Sequence, residues 1–118
     1  MMTLTLKNTS SPLTNMMVRI VEQGEGYGQY NAQRGEYALT NNNPEPLVEF
    51  YDLDFFCDRA PYVGQFVSRY YMSTLLERDT GGLCLDGGEA KWNLNESEMN
   101  EVRRFLRAAE AQINHESA

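Results

Sequence analysis

Hydrophobic and polar positions alternate along most of this chain, and only its last quarter switches to a helical period. Residues 2–7 set Met2, Leu4 and Leu6 against Thr3, Thr5 and Lys7, which predicts a half-buried strand. Residues 16–23 alternate again, with Met16, Val18 and Ile20 opposite Met17, Arg19 and Val21. Their β-branched content favours a strand over a helix. The intervening NTSSPLTN is turn chemistry with a proline, so these two strands are expected to form a hairpin.

Further on, GEGYGQYNAQRG at 24–35 reads as a glycine-rich surface loop, 36–40 as a short strand and NNNPEP at 41–46 as a second loop. LVEFYDLDFF at 47–56 is strand-like, but its alternation slips at Phe50-Tyr51. Such a slip signals a bulge or burial of both faces. A loop is expected at 57–63. Residues 64–76, GQFVSRYYMSTLL, are the longest run rich in aromatic and β-favouring residues and predict the central strand of a sheet. The competing reading is a helix with Val67, Tyr71, Thr74 and Leu75 as its stripe.

The local signals are clearest toward the C-terminus. Gly87-Gly88 suits a two-residue hairpin turn, which would pair Leu85 with Ala90, Cys84 with Lys91 and Leu83 with Trp92. That register puts Leu83, Leu85, Ala90, Trp92 and Leu94 on one apolar face. Asn95 and Glu98 have the spacing of a capping box, and Leu94 and Met99 that of a hydrophobic staple. Met99, Val102, Leu106, Ala109 and Ile113 then recur at helical spacing, with Phe105 flanking. A helix is expected over 95–113, followed by a frayed tail over 114–118. Strands first and helix last imply an α+β class: an antiparallel sheet of about five to six strands with a C-terminal helix packed on one face.

The chain has 118 residues, enough for one domain with its own core. A hydrophobic content of 42% argues against wholesale disorder. The net charge of −7 sets the overall field against nucleic acid and anionic membranes, and makes a basic protein the expected charged partner. The start of the chain lacks the basic and apolar regions of a signal peptide, and no stretch is apolar enough to span a membrane. A cytoplasmic location is therefore expected. Cys57 and Cys84 stand apart and read as small core residues.

Candidate chemistry is sparse. The single histidine, His115, falls in the expected tail, which removes the imidazole that a Ser or Cys nucleophile or a zinc site would use. Gly24, Gly26 and Gly28 lack phosphate-loop spacing and sit beside Glu22 and Glu25. No catalytic, cofactor or metal residue is therefore assigned, and no cofactor is expected.

Glu45, Glu49, Asp52, Asp54 and Asp58 form the densest acidic stretch, beside Phe50, Tyr51, Phe55 and Phe56. Its readings are a solvated strand edge, a carboxylate or cation site, and a partner-binding edge made of Glu49, Tyr51, Asp52, Asp54, Phe55 and Asp58. In the last, Tyr51 and Phe55 would be the exposed rings and Phe50 core. Seven tyrosines are many for this length, and Tyr with Arg is common content of protein-binding patches. Arg103, Arg104 and Arg107 read as a solvated helix face or an anion site.

The function class expected from these features is a small acidic, non-enzymatic binding protein. It would be an adaptor or inhibitor of a larger, basic protein or nucleoprotein complex, without direct nucleic-acid or membrane contact. An accessory protein of a phage, plasmid or gene cassette is the setting expected for such a chain. Two other classes stand beside it. One is a small-molecule-binding or catalytic domain with a pocket between helix and sheet, lined by Phe66, Tyr70 and Trp92. The other is a structural homo-oligomer, with a homodimer as its simplest form.

Overall fold

The alternating segments at the start of the chain pair with each other. In a computed structural model, which describes residues 2–31, 33–54, 65–86 and 90–117, β1 (Met2–Ser10) and β2 (Leu13–Val21) form an antiparallel hairpin. The strands run further into NTSSPLTN than its turn chemistry implied, and the reversal is confined to Ser11 and Pro12. The pairing slips between Leu6 and Thr9, where Asn8 adopts a positive φ of 54°. Asparagine tolerates that region, and the Asn8 amide donates to Asn15 Oδ1 at 3.0 Å across the hairpin.

Strand β5 (Leu47–Asp52) pairs with β2, and β6 (Gln65–Tyr71) with β5, giving a four-stranded antiparallel sheet of order β1-β2-β5-β6. The irregularity expected at Phe50-Tyr51 is present: Phe50 faces Ser68 and Tyr51 faces Phe66, so Val67 is the extra residue of a bulge. Every residue of β5 is buried, which is why its alternation was hard to read. The segment at 64–76 is not the central strand. Its first part, β6, is the last strand of the main sheet, and from Met72 the chain turns into a short helix, α1 (Met72–Leu76). Aromatic content marks a strand but not its place in a sheet. Here the interior strands are β2 and β5, and β5 is buried on both faces. The helix begins where Met72 N donates to Pro46 O at 3.0 Å and Ser73 N to Glu45 Oε1 at 2.9 Å.

Two further hairpins flank this sheet, so the described strands divide among three sheets. The stretch read as a glycine-rich loop carries β3 (Gly26–Asn31), which pairs with β4 (Glu36–Thr40). Strands β7 (Leu83–Asp86) and β8 (Lys91–Leu94) pair with Leu85 opposite Trp92 and Leu83 opposite Leu94. That register is two residues away from the one expected, and Gly87-Gly88 lies outside the described residues. A two-residue shift preserves the faces, so Leu85, Trp92 and Leu94 are still buried together, while Ala90 is exposed.

Helix α2 (Glu96–Ser117) starts where the capping box places it. Asn95 Oδ1 accepts from Glu98 N at 2.8 Å, and Glu98 Oε1 accepts from Asn95 N at 2.8 Å. Glu98 also holds the tip of the first hairpin through Ser10 N at 2.9 Å, which fixes where the helix lands. The helix continues past the expected stop at 113, and His115 is an exposed residue of its last turn. Replacing Asn95 by alanine should cost about 1 kcal/mol, read as a lower urea midpoint at unchanged slope. An unchanged midpoint would mean that Glu98 alone holds the helix start.

The class is α+β. Met99, Val102, Leu106 and Ala109 of α2 join Leu85, Trp92 and Leu94 of the last hairpin and Met72 and Leu75 of α1. Together they cover Leu6, Met16, Val18, Ile20, Val48 and Phe50 on one face of the main sheet. The opposite face carries Arg19, Glu49 and Arg69.

Candidate functional site

On that second face, the strand register aligns three charged residues in one row. Arg19 of β2 lies opposite Glu49 of β5, and Glu49 lies opposite Arg69 of β6. Arg19 Nη1 donates to Glu49 Oε1 at 2.6 Å, and Arg69 Nε and Nη2 donate to Oε2 at 3.2 and 3.1 Å. Tyr51, two positions along β5, donates its hydroxyl to Oε1 at 3.0 Å. Glu49 has 0% exposure, and a carboxylate so far from water persists only with partners on all sides. Burial above all, and then the charge and hydrogen bond of Glu49, push the Tyr51 phenol well above its ordinary range. Two guanidiniums thus share the one carboxylate of the row.

The β3–β4 hairpin roofs this row. Arg19 Nη2 donates to Gly26 O at 2.7 Å, and the Arg19 guanidinium carbon lies 4.7 Å from the centre of the Tyr37 ring. A Cβ at Gly26 would come within 2.7 Å of the Tyr37 ring, so glycine is what lets that ring close over the strand. The Arg69 guanidinium carbon lies 4.7 Å from the Tyr27 ring centre and 4.9 Å from that of Phe66. Such contacts stabilise a cation while excluding water from its flat faces.

The roof ends at Arg69. There a groove of about 370 Å³ opens, lined by Tyr27, Asn43, Leu47, Arg69, Tyr70, Tyr71 and Thr74. The Arg69 side chain is 29% exposed, and Nη1 has no acceptor among the described residues. Phe66 and Tyr71 of the same strand are 43% and 45% exposed.

The acidic edge is corrected by these positions. Glu49 is the buried centre of the row, and Tyr51, expected outside, is buried beside it; Phe50 is core as expected. Asp52 is also buried, and accepts from Thr14 Oγ1 at 2.6 Å and from Trp92 Nε1 at 2.9 Å. Asp54 is exposed and accepts from Asn15 N at 2.6 Å. Phe55 and Asp58 lie outside the described residues. The carboxylates of β5 and the turn after it tie this strand to its neighbours, because both faces of β5 are covered and each buried acid must find a donor there. A glutamate inside the apolar run Leu47, Val48, Phe50 and Tyr51 was the available signal of an internal carboxylate.

The Asn15 amide holds the Asp54 carboxyl below the ordinary carboxylate range. Its contribution to stability is therefore complete above the unfolded value and is lost as pH falls through the folded one. Carboxyl-carbon NMR titration should show Asp54 titrating below a free aspartate, and Asn15→Pro, which removes the donor, should reverse that. A midpoint at the ordinary value would mean that the Asn15 contact does not persist in solution.

Phe66, Tyr70 and Trp92 do not line a common pocket. Trp92 is in the core, whereas Phe66 is on the other face, edge-on to Tyr51 with ring centres 5.8 Å apart. Tyr70 packs edge-on against Phe50 and borders the groove. The arginines of α2 also separate. Arg103 is buried and donates to the carbonyls of Arg78, Thr80 and Gly81 at 2.8, 3.0 and 2.6 Å, while Arg104 and Arg107 are exposed. Arg103 is thus a pin for the loop between α1 and β7 rather than an anion site.

Among the described residues, no group of three or more His, Cys, Asp or Glu side chains could hold a metal ion, and no helix is long and apolar enough to cross a membrane. Comparison with protein-family models, curated proteins and solved structures yields no match.

Proposed function

We propose that this is a non-enzymatic binding protein that engages a protein partner through the groove at Arg69. The single observation carrying this reading is the grouping of Tyr27, Tyr70, Tyr71 and Arg69 around one concavity, with Phe66 exposed on the same strand. Tyrosine and arginine on rigid backbone supply large contact area at low entropic cost, and they dominate the energetic centres of protein interfaces. The acidic edge no longer supports a basic partner, because Glu49 and Asp52 are buried within the fold. A cytoplasmic location belongs to the same proposal, in keeping with the exposed free thiol of Cys84.

The test compares affinity capture from the native host by the wild-type chain, by Tyr71→Ser and by Asp54→Asn. Tyr71 is nearly half exposed, so its replacement should leave folding close to wild type. The partner should be lost with Tyr71→Ser and retained with Asp54→Asn. Equal recovery by all three would place recognition elsewhere.

A further inference from the structure

We infer that the groove takes a carboxylate of its partner, an aspartate or glutamate side chain with apolar neighbours. This inference rests on the binding role proposed above. It begins from charge. In a chain with 17 acids against 10 bases, the groove is lined, among the described residues, by an arginine and by no carboxylate. The row behind it pairs Arg19 and Arg69 with one carboxylate, Glu49, so Arg69 shares its buried counter-ion with a second guanidinium.

The position of Arg69 fixes how such an anion would bind. Its Nε and Nη2 share one edge of the guanidinium, and both donate to Glu49 Oε2. The rings of Tyr27 and Phe66 lie against the same group. The edge that carries Nη1 is left, and a guanidinium edge matches the two oxygens of a carboxylate. Because Glu49 already anchors the side chain, little conformational entropy remains to be lost on binding. Asn43 and Thr74 offer polar partners on the groove wall, while Leu47 and the tyrosines offer apolar surface to the residues beside the acid. One arginine with no second cation among the described lining residues favours a monoanionic carboxylate over a phosphate dianion.

The test titrates the full ¹⁵N-labelled chain with two peptides, acetyl-Leu-Glu-Leu-amide and acetyl-Leu-Gln-Leu-amide, and with inorganic phosphate. The glutamate peptide should shift the amides of Asn43, Arg69, Tyr71 and Thr74 and the Arg69 Nε–H resonance. It should bind roughly tenfold or more tightly than its glutamine counterpart, with the difference shrinking as salt rises. Equal affinities for the two peptides would overturn the carboxylate assignment, as would shifts with phosphate alone or no groove shifts at all. In each of these cases the binding role stands or falls separately, on whether Tyr71→Ser loses the captured partner. The peptide pair is read on the wild-type chain, so the result does not depend on whether an Arg69 variant folds.

Discussion

Replacing Glu49 by alanine should destabilise the protein by about 3–5 kcal/mol, because it strands two guanidiniums on the same covered face with no carboxylate between them. Arg19 feels this most. Its side chain is 4% exposed, and Gly26 O, which accepts from Nη2, is a neutral partner that does not replace the lost charge. Tyr51 loses its acceptor in the same step, so a buried hydroxyl is left to find another. Glu49→Gln keeps the shape and removes the charge, and should recover only a minor part of the loss. The triple replacement Arg19→Met, Glu49→Leu, Arg69→Met should behave differently. Removing all the charges at once removes their desolvation cost too, so its stability should return to within about 2 kcal/mol of wild type. Urea unfolding of the three variants checks this. If Glu49→Gln unfolds at the wild-type midpoint, water reaches the row and the hairpin of β3 and β4 is not its roof.

Trp92→Ala is the second large change expected, at about 3–5 kcal/mol from the cavity it leaves. Trp92 is 5% exposed and packs among the core residues of the last hairpin, α2 and the main sheet. It does more than fill space, since its Nε1 donates to Asp52 Oδ2 across the sheet edge. Trp92→Phe separates the two roles. It keeps most of the apolar volume, removes one donor from a buried carboxylate and should cost about 1–3 kcal/mol by itself. A phenylalanine variant as stable as wild type would show that Thr14 and the Asp54 amide suffice for Asp52. An alanine variant equally stable would move Trp92 out of the core altogether.

Those residues also show where sequence reasoning reached its limit. The burial of Trp92 followed from alternation alone, and it survived a register two residues away from the one that Gly87-Gly88 suggested, because a strand returns to the same face every second residue. The hydrogen bond to Asp52 could not be read in this way. The two residues are forty positions apart, and nothing local to either specifies the other. The same holds for Arg19, Glu49 and Arg69. Arg19 and Arg69 are the single charged residues of their strands, Glu49 shares β5 with Asp52, and nothing local to any of the three specifies the other two. What makes them a site is the order β2-β5-β6, which aligns them in one row.

Local chemistry therefore determined the elements whose signals lie within a few residues of one another. These are the first hairpin, the interruption at Phe50-Tyr51, the capping box at Asn95 and Glu98, and the apolar stripe of α2 from Met99 to Ala109. Their causes are short-range: side-chain alternation, backbone preference and hydrogen bonds spanning three residues. The slip at Phe50-Tyr51 allowed burial of both faces of β5, but tertiary structure alone decided that Glu49 and Asp52 are buried and that the strand at 65–71 has a groove beside it. Burial is a property of what packs against a residue. For Arg69 and Arg19 the covering rings, Tyr27 and Tyr37, come from a hairpin whose first strand the glycines at 24–28 had marked as a loop.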